Sequence, residues 1–142
     1  MANRLIGSVG LTVAGGTPSP YTRTTSFVIA CSDESSALTT GLKQTFRMPY
    51  AYTVTEVRAS LTSAGGGSGT TTVDISEAGT TILSTKITID YGDLTSVGAS
   101  ASPVIDDSSL ADNAQMTIDI DAVTGDADEA GLKVYIIGYK TL

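Results

Sequence analysis

The chain of 142 residues carries fifteen acidic and eight basic side chains, no histidine, no tryptophan and one cysteine. This length suits one domain, and the formal net charge of −7 argues against nucleic acid as a partner, because phosphate binding needs clustered Lys and Arg. Without histidine the chain lacks the commonest general base and metal ligand, so we predict no enzymatic activity and no cofactor.

The first 24 residues differ in composition from the rest and predict an N-terminal arm. They hold two basic and no acidic side chains, whereas residues 25–142 hold six basic and fifteen acidic ones and so carry −9. Alternating apolar residues in the arm suit a strand added to another sheet edge. We therefore predict an arm, 1–24, for anchoring or strand exchange and a body, 25–142; an ordinary first strand of the same domain is the alternative. The residues predicted to anchor the arm are Arg4, Leu5, Ile6, Val9, Leu11, Val13 and Arg23.

The apolar residues of the body recur with a period of two, which predicts β-strands. Between 114 and 122, Ile118 and Ile120 fall on one side, while Asp119 and Asp121 fall on the other. The pattern predicts strands at 26–31, 43–48, 52–62, 70–78, 81–90, 100–105, 114–122 and 132–140. We expect an all-β fold, a single antiparallel β-sandwich or jelly-roll-like domain with an extended N-terminal arm.

Three irregular segments interrupt this pattern. The apolar register switches within 52–62, which predicts a β-bulge near Thr55 and Glu56. The glycine-rich stretch 65–69 predicts a mobile hairpin tip, since apolar alternation runs up to both of its ends. Residues 108–112 predict a single helical turn capped by Asp107 or Ser108.

The last predicted strand is apolar on both faces. Tyr135, Ile137 and Tyr139 share one face, and the residues between them share the other. This pattern fits a strand buried on both sides, but it also fits a strand that meets another subunit, a role for which tyrosine is well suited. Tyr50 and Tyr52 form a second aromatic pair. We predict these five residues as contacts between copies, with a homotrimer ahead of a dimer.

An acidic run is the strongest candidate for a metal site, and it consists of Asp119, Asp121, Asp126, Asp128 and Glu129. Calcium prefers such oxygen ligands. Neither register satisfies the calcium-loop template, because Val123 and Thr124 break the first and Ala130 and Ile137 the second. We therefore predict no metal and a solvated strand face and turn. Cys31 lies in the apolar run 27–31 and is predicted to be a small buried residue.

Several segments together resemble a known family. They are SDESSALTTG at 32–41, TFRMPY at 45–50, VRASLT at 57–62, VDI at 73–75, ILSTKITID at 82–90, IDID at 118–121 and AGLKV at 130–134. The set is similar to the small β-domain structural proteins of tailed bacteriophage virions, which are described as capsid decoration or cement, head-fibre or tail-fibre proteins. The resemblance spans about residues 26–139, leaves the arm outside, and implies no catalytic residues.

The resemblance implies a capsid decoration or cement protein on the exterior of the virion. Such a protein would bind the major capsid protein and copies of itself, and it would stabilise the shell; neither nucleic acid nor a membrane is an expected partner. The alternative is a head- or tail-fibre module that attaches to a host-surface glycan or receptor through the loops 65–69 and 124–131. A calcium-dependent adhesion module is a third possibility, and the failed loop spacing argues against it.

Overall fold

The computed structural model describes residues 23–141, which form eleven strands and no helix. The strands are β1 (Thr25–Ala30), β2 (Gly41–Arg47), β3 (Tyr52–Ser60), β4 (Thr70–Glu77), β5 (Thr80–Thr81), β6 (Leu83–Thr85), β7 (Ile87–Asp90), β8 (Val104–Ile105), β9 (Ser109–Leu110), β10 (Gln115–Ala122) and β11 (Lys133–Lys140). Within this range the chain has no helix long and apolar enough to cross a membrane.

The strands are arranged in two antiparallel sheets. The first has the order β1-β11-β3-β9, and the second has the order β2-β10-β4-β5, with β7 also paired to β4. Strands β6 and β8 pair with each other in a small separate ladder. The buried apolar side chains of both sheets form one hydrophobic core. The predicted all-β class and the sandwich arrangement are confirmed.

Strand β10 shows how side-chain alternation builds this core. Ile118 and Ile120 are buried, whereas Asp119 is half-buried and Asp121 is exposed. Fully burying an isoleucine side chain contributes roughly 1.5–3 kcal/mol relative to leaving it in water. The predicted assignment of the two faces of this strand is confirmed.

The predicted β-bulge lies in β3. In the ladder with β11, Glu56 pairs with Ile137 and Val54 pairs with Gly138, so Thr55 has no residue opposite it. The extra residue reverses the side-chain alternation, and Val54 and Val57 therefore both face the core.

The predicted strand 81–90 is three short strands. Thr80 and Thr81 fold back on β4 through a two-residue turn in which Ala78 has φ 50° and Gly79 has φ 86°. Two left-handed residues are the geometry of a type I′ hairpin. The chain then leaves the sheet to pair with β8 and returns to β4 as β7. Alternation predicts extended chain, but it does not reveal that the pairing partner changes twice.

The stretch 65–69 is not a mobile hairpin tip, because it connects β3 to β4, which lie in different sheets. Two neighbouring loops fix its backbone: the Gly92 N–H donates to the Gly65 carbonyl at 2.8 Å, and the Gly125 N–H donates to the Ser68 carbonyl at 2.8 Å. A Cβ at Gly65 would overlap the Thr124 side chain. The glycines therefore permit close packing of three loops.

The predicted helical turn at 108–112 is also wrong. Ser109 and Leu110 form the short strand β9, which pairs with the first two residues of β3. The Asp107 carboxylate accepts the Ser109 N–H at 3.0 Å, a local turn that competes with helix formation. Leu110 is buried in the core. The predicted strand 100–105 is likewise limited to β8, and the bounds of the other strands differ from those predicted by one or two residues.

Candidate interaction surfaces

Most of the predicted anchoring residues lie outside the described part of the chain. These are Arg4, Leu5, Ile6, Val9, Leu11 and Val13. Arg23 is described and exposed, two residues before β1 begins. The arm therefore enters the body at the start of an edge strand of the first sheet.

An aromatic cluster lies at this entrance. The Phe27 and Tyr52 rings are in edge contact with centroids 5.0 Å apart, and Tyr50 lies 6.0 Å from Phe27. Tyr52 is fully buried, and its hydroxyl donates to the Thr25 carbonyl at 2.9 Å. The prediction that Tyr52 contacts another copy is wrong, because its ring is already enclosed by its own chain. Tyr50 remains half-buried, with the Lys140 ammonium 5.1 Å from its ring.

The predicted contact residues Tyr135, Ile137 and Tyr139 lie on the outer face of the first sheet. Strand β11 is not an edge strand, because β1 and β3 flank it. Its Val134 and Ile136 are buried in the core, while the three predicted residues are half-buried on the opposite face. The Tyr135 hydroxyl lies 3.1 Å from the Ser60 hydroxyl.

Two exposed valines extend this outer face. Val28 on β1 stands directly opposite Tyr135 in the ladder and is 56% exposed. Val97, 59% exposed, lines a recess of about 250 Å³ together with Tyr135 and Ile137. Val28, Tyr135, Ile137, Tyr139 and Val97 are here called the outer apolar face. Contiguous exposed apolar surface marks sites of contact with other proteins.

Sequence reasoning missed Val28 and Val97. Val28 lies in a strand with the same pattern as β11, because Phe27, Val28 and Ile29 make β1 apolar on both faces. Val97 lies in the irregular segment between β7 and β8, where no periodicity identifies it. Only the three-dimensional fold brings it beside Tyr135.

One edge of β1 is not paired with any described strand. The Cys31 N–H, just beyond β1, donates to the Leu132 carbonyl of the β11 side at 2.8 Å. Backbone groups alternate in direction along an antiparallel ladder, so those of Ser26, Val28 and Ala30 point away from β11. The Ala30 carbonyl accepts from the Gln44 side-chain amide at 2.9 Å, which agrees with this direction.

A groove runs between β1 and β2, the end strands of the two sheets. It has a volume of about 500 Å³, and its apolar lining includes Phe27, Ile29 and Phe46, all half-buried. The sandwich is open on this side, because the described chain leaves these core-facing residues partly uncovered.

A second cleft lies beside the middle of β3. It has a volume of about 520 Å³, and its lining includes Val57 and the exposed Val97 and Val104. The ion pair between Glu56 and Arg58 lies along its rim, with 2.5 Å between the nitrogen and the oxygen. The cleft is shallow and contains no buried titratable group.

Glu129 lies in the loop 124–131, one of the two loops predicted as contacts of a fibre module, and links that loop to Thr71 of β4. Its carboxylate is fully buried and accepts the Thr71 hydroxyl at 2.6 Å, the Thr124 N–H at 2.8 Å and the Thr124 hydroxyl at 3.0 Å. Burial raises the pKa of Glu129, but these hydrogen bonds outweigh burial and hold the pKa below its ordinary value. Glu129 is therefore a structural anion that fixes the loop 124–131 against β4.

The other acidic residues of the run 119–129 do not converge. Asp128 accepts the Gly66 N–H at 2.8 Å, Asp126 lies against Gly66 and Gly67, and Asp121 pairs with Lys86. Lys86 also contacts Asp74 at 3.2 Å. Among residues 23–141 no group of three or more Asp, Glu, His or Cys side chains is arranged to hold a metal ion.

Cys31 is buried, as predicted. Burial raises the pKa of its thiol to about 11, so the thiol stays protonated at neutral pH and is a poor nucleophile.

The surfaces described above present apolar side chains and backbone edges, which are groups suited to contact with another protein.

Comparisons with protein-family models, with curated proteins and with solved structures gave no match for this chain.

Proposed function

We propose that the chain is a structural protein of a phage virion, a capsid decoration or cement protein that binds the shell and copies of itself. One observation supports this proposal most: the outer apolar face and the open edge of β1 adjoin each other on one side of the sandwich. Exposed apolar surface next to the unpaired edge of a strand suits contact between proteins. The resemblance to virion β-domains supplies the class of assembly.

In this proposal the protein acts mechanically. The arm attaches each copy to the major capsid protein on the exterior of the shell, and the outer apolar face contacts a neighbouring copy. Many weak contacts repeated over a shell sum to a strong one, because each bound copy raises the effective concentration of the next contact. A body with a net charge of −9 keeps the remaining surface soluble at high local density.

The test is reconstitution with shells that lack this protein. Full-length protein should sediment with the shells and raise the temperature at which they open. A variant without residues 1–24 should stay folded by circular dichroism but remain in the supernatant. Binding of the truncated variant at the full-length copy number would contradict the anchoring role of the arm, and failure of the full-length protein to bind would contradict the proposed function.

The alternative is a head- or tail-fibre module for host attachment, and one observation favours it. The two loops predicted as its contacts pack against each other, and Tyr91, which is exposed, donates its N–H to the Gly69 carbonyl beside them. An exposed ring near polar loops suits a sugar face. Binding to host cells that is lost in Tyr91→Ala, without any binding to shells, would favour the fibre module.

A further inference from the structure

We propose that two copies of this chain associate through β1, pairing their open edges antiparallel about a twofold axis. The inference rests on the self-association in the proposed function and assigns one contact between copies to the edge of β1, where Val28 belongs to the outer apolar face. It departs from the trimer expected from the sequence, because two identical edges that pair with each other close the assembly at two copies.

Strand β1 lacks the features that normally prevent edge pairing. Natural edge strands carry charged residues, proline or bulges that discourage a second chain. The sequence of β1, TSFVIA, contains neither charge nor proline, and its ladder with β11 runs without a register shift. The other end strand, β2, carries Lys43 and Arg47 and has a register shift in its ladder with β10. Of these two edges, β1 is the one open to pairing.

The open edge of β1 is complementary to itself. The N–H and C=O groups of Ser26, Val28 and Ala30 point outward, and Val28 is the middle member of the three. If β1 of the second copy runs antiparallel with its Val28 opposite Val28, the two valines exchange both backbone hydrogen bonds. Ser26 then faces Ala30 of the other copy. The Gln44 amide would release the Ala30 carbonyl, and since Gln44 is exposed, water can replace that bond.

The same pairing shields apolar side chains that the described part of one copy leaves partly uncovered. Phe27 and Ile29 line the groove at the open side of the sandwich and are half-buried. In the paired arrangement the corresponding residues of the second copy lie beside them in the same layer. On the opposite face, the two Val28 side chains meet, and the two outer apolar faces become one surface.

The contact is also compatible with the acidity of the chain. Strand β1 has no charged residue, and the charged side chain of the neighbouring β2 that lines the groove is the cation Arg47. Pairing along β1 therefore brings no carboxylate of that groove against another. This placement lets two acidic molecules meet along an uncharged strand.

The experiment compares the mass of full-length protein, three substituted variants and a variant without residues 1–22 by sedimentation velocity over a micromolar concentration series. Val28→Lys places like charges opposite each other across the pairing, and Val28→Pro removes a backbone N–H that points away from β11 and makes no bond within residues 23–141. Leu42→Lys is the matched control, because Leu42 is 58% exposed and Val28 is 56% exposed, but Leu42 lies on β2. Circular dichroism confirms that each variant is folded.

We expect dimers for the full-length protein and for Leu42→Lys, and a dissociation constant raised about tenfold or more in Val28→Lys and Val28→Pro. Dimers of unchanged affinity in both Val28 variants, or a monomeric full-length protein, would overturn the β1 contact. Loss of the dimer on removal of residues 1–22 would also overturn it, since the arm would then carry the contact.

Shell binding separates the two proposals. Val28→Lys should still bind shells through its arm. Failure of the full-length protein to bind shells would refute the proposed function but would not contradict the dimer.

Discussion

Gly138 shows how a single residue position can limit what the fold accepts. It lies on β11 opposite the bulge of β3, and its inward side faces the Tyr52 ring. A Cβ built at Gly138 would overlap the backbone carbonyl of Thr53 and approach Tyr52 Cε1 to 3.0 Å. Backbone does not yield as the end of a flexible side chain does, so any side chain at this position requires the two strands to shift.

Gly138→Ala should therefore lower the free energy of unfolding by about 3 kcal/mol or more, because the central ladder must shift to admit the methyl group. Gly98→Ala is the control: its Cβ would meet nothing within 4 Å, but its φ of 91° costs an alanine roughly 1 kcal/mol. Urea unfolding measures both. Equal losses of unfolding free energy in Gly138→Ala and Gly98→Ala would contradict the close contact at Gly138.

The lowered pKa of Glu129 predicts how the free energy of unfolding depends on pH. Its pKa in the folded protein lies below the ordinary value of 4.5, so the ionised carboxylate stabilises the fold above that pH. This stabilisation is lost as the pH falls through 4.5 toward the lowered pKa, since the unfolded chain takes up the proton first. Acidification should therefore narrow the stability difference between the wild type and Glu129→Gln.

At neutral pH, Glu129→Gln should cost roughly 1–3 kcal/mol, the range for a buried group whose hydrogen-bond partners no longer match. Melting temperatures of both proteins between pH 7 and pH 3 give the comparison. Glu34→Gln is the exposed control, because hydrogen bonds from Lys133 and Thr62 also lower the pKa of Glu34 but water competes for them. A constant difference between wild type and Glu129→Gln at all pH values would refute the role of ionisation.

At the scale of the element, β10 is the central strand that joins β2 to β4. Its inward residues meet the core, and its outward residues meet Lys86 and solvent. Two substitutions on this one strand separate the contributions of its faces.

Ile118→Ala should cost about 2–5 kcal/mol, since the side chain is fully buried and its removal leaves a cavity. Asp119→Ala, one residue away on the opposite face, should shift the free energy of unfolding by under about 0.5 kcal/mol. Chemical denaturation of both variants measures the difference. A large loss of unfolding free energy in Asp119→Ala with a small loss in Ile118→Ala would contradict the assignment of Ile118 to the core face of β10.

At the scale of the whole molecule, the described strands pair with one another and share one core. The described sheets begin at Thr25, where β1 starts. The composition changes at the same boundary, from an arm without acidic residues to an acidic body.

A chain that lacks residues 1–24 should therefore melt within about 4 °C of the full-length protein, the shift that about 1 kcal/mol produces in a domain of roughly this size. Calorimetry on both proteins gives the comparison. Failure of the truncated chain to fold would show that the arm completes the core, as an ordinary first strand would.

The sequence by itself determined the features that depend on neighbouring residues. The period of two identified the all-β class and the inward face of β10, and a break in that period located the bulge at Thr55. Side-chain direction alternates residue by residue in any strand, so these features can be read without knowledge of the pairing partners. Part of the candidate site followed in the same way, since Tyr135 and Ile137 do share the outer face of β11.

Only the tertiary structure decided which strands pair and which edges remain open. Backbone hydrogen bonds join residues far apart in the sequence and leave no local pattern, so the sequence did not show that β11 lies inside its sheet. For the same reason it did not show that Tyr52 is enclosed, that Glu129 joins its loop to β4, or that Val28 stands beside Tyr135. Whether an apolar residue faces its own core or another molecule depends on the strands around it, and these are assembled only in the folded chain.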